Sequence, residues 1–452
     1  MNIIYWIVKP LSILFLNVFY KIDYNGKENI PLGKPVVFAP NHVNAFIDAV
    51  LVGIAVKYKV RFFARGDVFK GRFSRWILNQ LSISPMYRIQ EGYGELKKND
   101  KTFEECRQML VNNKALVIFP EGICIQERRL RPLKKGLARI VFQTATSINF
   151  NKDILIVPVG LNYNNPTKFR SNVTINYGKP ISLDAFERSY RDDSIKTINT
   201  FTKLLEEQMQ PHLNIINNSD NDELVSNLEE IYLKRWIQNK NEPFNLKQQY
   251  LASKEIIAMV NNLTAENPHA LDSLKEKINA YLTKIKQHQL RNHLLNPETI
   301  NKSTSLTFIY ECIILYIGMP IYGMGLLMNY LPYNYTKKYC DKNVKSKEFY
   351  ASVYANMAMF LWLFYYAIQL LAVSLFKKWL LLGTYALLVP LLGYFVLYFY
   401  PVMKKIRGRW HLLKLVRKNK KLITELVNER EDIIAQIEHM VAQERLVVNL
   451  GK

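Results

Sequence analysis

The chain holds 452 residues, enough for more than one domain, and 49% of them are hydrophobic. Its 61 Lys and Arg against 38 Asp and Glu leave a net charge of +23, which fits nucleic acid, anionic lipid or an anionic substrate as partner. Four cysteines without a CxxC pair or a Cys/His cluster, and seven histidines without HExxH, fit a reducing compartment and give no structural zinc pattern.

The stretch MNIIYWIVKPLSILFLNVFYK opens the chain. It lacks a basic n-region and a small-residue cleavage site, which argues against a cleaved signal peptide. Lys9-Pro10 interrupts it. Residues 1–20 read as a membrane-associated helix, with a short buried helix as the plainer alternative.

From residue 21 to 190, β-rich runs alternate with helical stretches. Val36–Phe38, Val60–Ala64, Ala115–Phe119, Ile154–Val159 and Val173–Tyr177 read as strands. Ala45–Lys57, Phe73–Leu81, Phe103–Asn112 and Leu137–Thr146 read as helices between them. The alternation predicts an α/β domain, with a mostly parallel or mixed sheet flanked by helices.

Residues 191–303 change character, and IINNSDNDEL breaks the pattern. ELVSNLEEIYLKRWIQ and LDSLKEKINAYLTKIKQHQL space their apolar residues by three and four, which predicts a helical insert. His212, His269, His288 and His293 carry no partner pattern there and read as surface or core residues.

Three apolar spans lie within residues 304–401: Leu306–Leu331, Ser352–Phe376 and Trp379–Tyr400. Each is long enough to cross a hydrocarbon core of about 30 Å at roughly 1.5 Å per residue. Only Lys377-Lys378 separates the last two. The first contains Glu311 and Pro320, and a carboxylate at that depth is costly unless it faces protein or water. We expect this span to be re-entrant and the other two to cross.

The tail, residues 402–452, begins with nine Lys/Arg and no acidic residue from Lys404 to Lys421. It continues as the amphipathic LITELVNEREDIIAQIEHMVAQERL. Basic residues placed directly after apolar spans favour lipid headgroups over nucleic acid, for which no fold signature appears. A solvated helical tail is the alternative.

The segment VVFAPNHVNAFIDAVLV carries the chemistry. A strand ends at Pro40-Asn41, Asn44 is a good N-cap, and a helix follows with Phe46, Val50, Leu51 and Ile54 on its apolar face. Residues six apart on one helix are rotated by about 240° and do not meet. His42 and Asp48 meet only if His42 lies off the helix and folds back over its start. Asp48 then accepts a hydrogen bond from one ring nitrogen, and the other nitrogen takes a proton from a substrate hydroxyl. The plainer readings are a turn histidine and a carboxylate answering the helix dipole.

Three further segments end predicted strands. SPMYRIQEG supplies Arg88, LVIFPEGICIQE supplies Glu121 and Gly122, and ILIVPVGLNY supplies Pro158. Ligands gather at the carboxyl ends of strands in open α/β sheets, so these residues are expected at one cleft. Arg88 suits a phosphate, Glu121 an acceptor hydroxyl, and Gly122 a close backbone approach. Lys134 and Lys135, in RPLKKGLARI, precede a helix start and offer a second anion contact. Ion pairs, a plain turn and solvated charge are the ordinary readings of the same residues. GxSxG, a Walker loop and GxGxxG are all absent, so direct attack by a substrate hydroxyl is the expected chemistry.

In this order, NHVNAFID, PMYR, FPEG and VPV resemble the PlsC-like glycerolipid acyltransferase family. The resemblance covers residues 20–190 and includes RFFARGDVFKGRFSRWILNQLSISPMYR. The family's first block has four residues between His and Asp, and this chain has five. That spacing, GLNYNNPTKFRS and the C-terminal membrane region are similar to the branch acting on glycerol 3-phosphate and dihydroxyacetone phosphate. The resemblance implies acyl transfer from acyl-CoA or acyl carrier protein to the sn-1 hydroxyl, without cofactor or metal. It makes His42 the general base and Asp48 its partner, with Asn41, Arg88, Glu121, Gly122, Lys135 and Arg170 around the substrates. The apolar spans predict an integral membrane protein, and the basic Lys404–Lys421 segment prefers the cytoplasmic side, where the catalytic domain is expected. Two other readings remain: a lysophospholipid acceptor such as 1-acylglycerol 3-phosphate, and a non-catalytic lipid-binding or tethering protein. The intact blocks speak against the second.

Overall fold

The computed structural model describes residues 3–87, 99–297 and 305–450. The chain packs as two units. The first comprises residues 1–215 with Asn343–Ala355, and the second Ile216–Lys342 with 356–452.

The first unit is built on one mixed sheet. Its strands are β1 (Tyr20–Asn25), β2 (Val36–Pro40), β3 (Val60–Arg65), β4 (Ile83–Met86), β5 (Ala115–Val117), β6 (Leu155–Tyr163), β7 (Ser171–Tyr177) and β8 (Ile181–Ser182). They are ordered β1-β7-β6-β2-β5-β3-β4, with β8 on β6. β6, β2, β5, β3 and β4 are mutually parallel, while β7 and β8 pair antiparallel with β6. The expected mostly parallel sheet is present.

β2 is buried along its whole length, as its unbroken apolar sequence requires. Val37 and Ala39 join a core with Ile140, Val141 and Phe142 of the helix Gly136–Ser147. The helix Ser194–Met209, placed by its sequence at the head of the helical insert, sends Phe201, Leu205 and Met209 into this same core. β1 was not legible as a strand. Its YKIDYN is mostly polar and pairs on one side only, parallel to β7. Before it, α1 (Ile3–Phe19) runs unbroken through Pro10. Lys9 stays in this apolar helix by donating to the Val56 carbonyl at 2.6 Å.

In the second unit, the helices Asp222–Asn239, Leu246–Glu266 and Pro268–Gln287 form one hydrophobic core with the C-terminal helix Lys420–Leu450. Leu228, Ile256, Ile278 and Ile434 are fully buried in it. Ion pairs Arg235–Glu431, at 2.7 Å, and Lys284–Glu429 border the seam. The amphipathic tail therefore lies against the insert rather than alone in solvent.

Among the described residues, three helices are long and apolar enough to cross a membrane: Ser305–Asn343, Lys347–Ser374 and Trp379–Lys418. The first is one uninterrupted helix with Pro320 and Pro332 inside it. Its Glu311 is buried and accepts from Arg409, and from the Trp410 indole at 2.9 Å. The cost of a carboxylate in that helix is met by a cation and a neutral donor of the third helix.

Candidate active site

β2 ends at Pro40, and the chain turns through Asn41–Asn44 into α2 (Ala45–Ala55). Asn41 is buried and ties this turn to β6. Its Oδ1 accepts the Leu161 N–H at 2.7 Å, and its Nδ2 donates to the Leu161 carbonyl at 3.1 Å. The His42 carbonyl accepts the Ile125 N–H at 3.1 Å, and the His42 N–H donates to Glu121 Oε1 at 2.8 Å. The imidazole stacks on Phe119 with ring centroids 3.9 Å apart.

His42 does leave the helix and meet Asp48. Nδ1 lies 3.0 Å from Asp48 Oδ2. The same oxygen accepts the N–H groups of Val43 at 2.7 Å and Asn44 at 2.6 Å, and Oδ1 accepts the Tyr163 hydroxyl at 2.6 Å. Asp48 has no exposed surface. A carboxylate at Nδ1 fixes the ring proton there and leaves the Nε2 lone pair outward. Nε2 makes no hydrogen bond among the described residues, and the side chain keeps 13% exposure.

The expected cap is replaced. The Asn44 side chain caps no helical N–H. It donates instead to the Tyr20 hydroxyl at 2.8 Å and the Pro166 carbonyl at 3.2 Å. Asp48 reaches back from inside the helix to the turn. Ser352 Oγ accepts the Ile47 N–H and donates to the Asn44 carbonyl, each at 3.2 Å. Ala45 donates its N–H to Cys124 Sγ at 3.0 Å and holds a left-handed φ of 39°, a strained backbone for alanine at the base of the turn. Burial, with Asp48 nearby, pushes the Cys124 thiol well above its ordinary range, so it stays protonated.

Glu121 is buried and accepts on both oxygens, from His42 N–H and from Arg131 N–H at 3.3 Å. Burial pushes its pKa up to about 7, the two N–H donors pull the other way, and the Asp48 charge adds to the rise. Gly122 adopts φ 71°, a conformation that side-chain-bearing residues avoid, as the turn after β5 requires. Lys134 N–H returns to the Pro120 carbonyl at 2.7 Å, and the exposed Lys135 opens the helix Gly136–Ser147.

The remaining expected members stand apart. Arg170 donates to the Asn17 carbonyl at 3.2 Å, in the last turn of α1, and makes no hydrogen bond to the groups around His42 among the described residues. Arg88 lies outside the described residues.

Sequence reasoning passed over several residues that the structure brings in. Tyr163 ends β6 beside β2, where Val159 pairs with Pro40, so it belongs to the strand-end set already considered. The run ERRLRP adds Arg128, Arg129 and Arg131. Arg128 donates to the Asn164 carbonyl, and the other two pair with Glu127. Ser352 lies 305 residues from Ile47, and no sequence signal links them. Phe46, Val50 and Ile54 on the outer face of α2 line an apolar groove with Tyr5, Val8 and Phe62.

Residues 21–162 match the family model described as Acyltransferase. The chain is 25% identical over 146 residues to the 1-acyl-sn-glycerol-3-phosphate acyltransferase BAT2 of Brassica napus, covering 32% of this chain and 40% of that protein. It is 32% identical over 112 residues to glycerol-3-phosphate O-acyltransferase 2 of Saccharomyces cerevisiae, covering 25% and 15%. It is 24% identical over 233 residues to glycerol-3-phosphate O-acyltransferase 1 of the same yeast, covering 48% and 28%. The chain thus spans at most 40% of the length of these three relatives. Asn41-His42 follow β2 and Phe119–Gly122 follow β5, whereas Pro158, expected at a strand end, lies inside β6, which runs on to Tyr163. The segment 21–162 is thus similar to the acyltransferase family, a match that covers less than a third of the chain.

Proposed function

We propose that the chain transfers a fatty acyl group from a thioester, acyl-CoA or acyl carrier protein, to the sn-1 hydroxyl of glycerol 3-phosphate or dihydroxyacetone phosphate. One observation carries this reading. His42 Nδ1 is held on the Asp48 carboxylate, while Nε2 has no hydrogen bond among the described residues. Nε2 takes the hydroxyl proton as the acceptor oxygen forms its bond to the thioester carbonyl carbon. The tetrahedral adduct collapses, the C–S bond breaks, and the proton passes to the departing thiolate. Asp48 stabilises the imidazolium between those events.

The loop carrying Arg128, Arg129, Arg131, Lys134 and Lys135 follows Glu121 directly and supplies positive charge for the phosphates of acceptor and donor. Arg88, outside the described residues, is a phosphate ligand by the resemblance alone. The apolar groove lined by Phe46, Val50 and Ile54 on the outer face of α2 takes the acyl chain. Glu121 holds the His42 backbone in place. The nine basic residues after the third apolar span favour a cytoplasmic catalytic face, where acyl-CoA is found. The name of the Brassica relative favours a second acceptor, 1-acylglycerol 3-phosphate.

Purified chain assayed for thiol release and product ester should lose about 10²- to 10⁴-fold in rate with His42→Ala. Normal turnover by that variant would reject the mechanism. Glycerol 3-phosphate, dihydroxyacetone phosphate and lysophosphatidate offered in parallel decide the acceptor. Saturable transfer only to lysophosphatidate rejects the first reading.

A further inference from the structure

We propose that the Asn44–Ala45 peptide is the hinge that sets His42 on Asp48, and that Ser352 and Cys124 clamp this peptide from its two ends. On the reading of His42 as base and Asp48 as its partner, Ser352 is then a positioning residue for acyl transfer, although it lies in the second turn of the apolar helix Lys347–Ser374.

The hinge is a single torsion. His42 precedes Ala45 in the turn, and Asp48 follows it inside α2. The φ of Ala45 therefore decides how the incoming chain meets the helix. Its value is 39°, in the left-handed region, where a Cβ crowds the backbone and alanine is seldom found. A negative φ would swing the Asn44–Ala45 peptide about the Ala45 N–Cα bond. His42 would travel with that peptide and Asp48 would not. A strained torsion of this kind persists only where its surroundings over-determine it.

Both ends of the peptide are held. Its N–H, from Ala45, donates to Cys124 Sγ at 3.0 Å. Its carbonyl, from Asn44, accepts the Ser352 hydroxyl at 3.2 Å. The same Ser352 oxygen accepts the Ile47 N–H at 3.2 Å, and that N–H also reaches the Asn44 carbonyl at 3.1 Å. Ser352 thus closes the first turn of α2 and supplies the cap that the Asn44 side chain leaves undone. One bond upstream, the Asn44 N–H donates to Asp48 Oδ2 at 2.6 Å. Turning Ala45 to a relaxed φ would break the Cys124 and Ser352 bonds together.

The clamp is itself firmly seated. Asn343–Ala355 packs in the same compact unit as the catalytic turn. Ala351, Ser352 and Tyr354 are buried there, and Tyr354 meets Phe19 edge-on at 5.6 Å. Gln126, two residues after Cys124, donates to the Lys347 carbonyl at 2.8 Å. The loop that carries Cys124 and the helical turns that carry Ser352 are therefore tied to each other as well as to the peptide between them.

A cycle of two substitutions in the full chain, held in nanodiscs, tests the clamp. Glycine takes a left-handed φ without strain, so Ala45→Gly removes the need to force that torsion. In the parent chain, Ser352→Ala deletes two hydrogen bonds and should lower kcat roughly 10-fold. KM should change little, because the hydroxyl is buried on backbone groups. In the Ala45→Gly background the same substitution should cost about 2-fold or less. A hydroxyl that only packs would cost the same in both backgrounds, and equal losses overturn the proposal. Parent kcat in Ser352→Ala, or a change confined to KM, also overturns it. Hydrogen exchange reads the clamp without turnover. Amides of residues 43–48 should exchange faster in Ser352→Ala, while those of the helix Gly136–Ser147 keep the parent rate. Unchanged exchange at 43–48 overturns the proposal. A parent chain without acyl transfer, or a His42→Ala chain that keeps it, rejects the function reading instead, and exchange still decides the clamp.

Discussion

Asp48 in the first unit and Glu311 in the second each lie buried in a bed of donors, and the two beds differ. Asp48 is held by two backbone N–H groups, a tyrosine hydroxyl and an imidazole. Glu311 is held by a guanidinium and an indole. The Arg409 guanidinium is permanently charged, so the Glu311 pair is neutral as a whole and has no proton to move. Asp48 lies among neutral donors, beside an imidazole that can accept a proton at its other nitrogen. The same residue class thus does structural work in one place and is set for chemistry in the other, and the charge state of the partner decides which.

Breaking the structural pair should give the largest change in stability. Glu311→Leu leaves the Arg409 cation without its carboxylate, and stranding one partner of a buried pair costs about 3–5 kcal/mol. Thermal unfolding in nanodiscs should show that loss, while acyl transfer per folded molecule is unchanged. Glu311→Leu with Arg409→Leu should recover most of it. A double variant no more stable than the single would show that Glu311 is not held chiefly by Arg409.

The chemical bed should respond in the opposite sense, with rate falling more than stability. Tyr163→Phe keeps the buried ring and removes only the hydroxyl at Asp48 Oδ1. A hydrogen bond to a charged group contributes about 1.5–3 kcal/mol, so kcat should fall roughly 10- to 100-fold if that bond holds Asp48 on His42 through the reaction. KM should change little, because Tyr163 is buried and touches no substrate position. A change confined to KM, or to the unfolding temperature, would assign the hydroxyl a role in packing alone.

The comparison also explains what was legible beforehand. His42 and Asp48 are six residues apart, and the Pro40–Asn44 break between strand and helix announces their meeting. Tyr163 lies 115 residues from Asp48 and reaches it only because β6 pairs with β2. That neighbour order follows from the strand order of the whole sheet and not from any local pattern. Arg409 is 98 residues from Glu311. The sequence showed that the carboxylate needed a partner, but not which one. The amphipathic helices behave alike: their spacing revealed apolar faces, and nothing local said that Leu228 and Ile434 would share a core. β2 was readable because burial on both faces demands an unbroken apolar run. The polar edge strand β1 had no such demand.

The last prediction concerns a third buried carboxyl, Glu121, which holds the His42 backbone and makes no ion pair among the described residues. Burial raises its pKa from the ordinary 4.5 to about 7. Below pH 4.5 the group is protonated in the folded and the unfolded chain alike. Between about 4.5 and 7 the folded chain keeps a proton that the unfolded chain releases, so rising pH favours unfolding across that window. Above it the loss is complete and constant. Glu121→Gln has no proton to lose, and its amide oxygen still accepts the His42 N–H. The unfolding temperature of the solubilised chain should therefore fall from pH 4.5 to 7 relative to that variant, and the two curves should run parallel from pH 7 to 8. Taking the difference between them removes every other titrating group that the two chains share. Parallel curves across the whole range would mean that Glu121 is ionised throughout, and that its two backbone donors outweigh its burial.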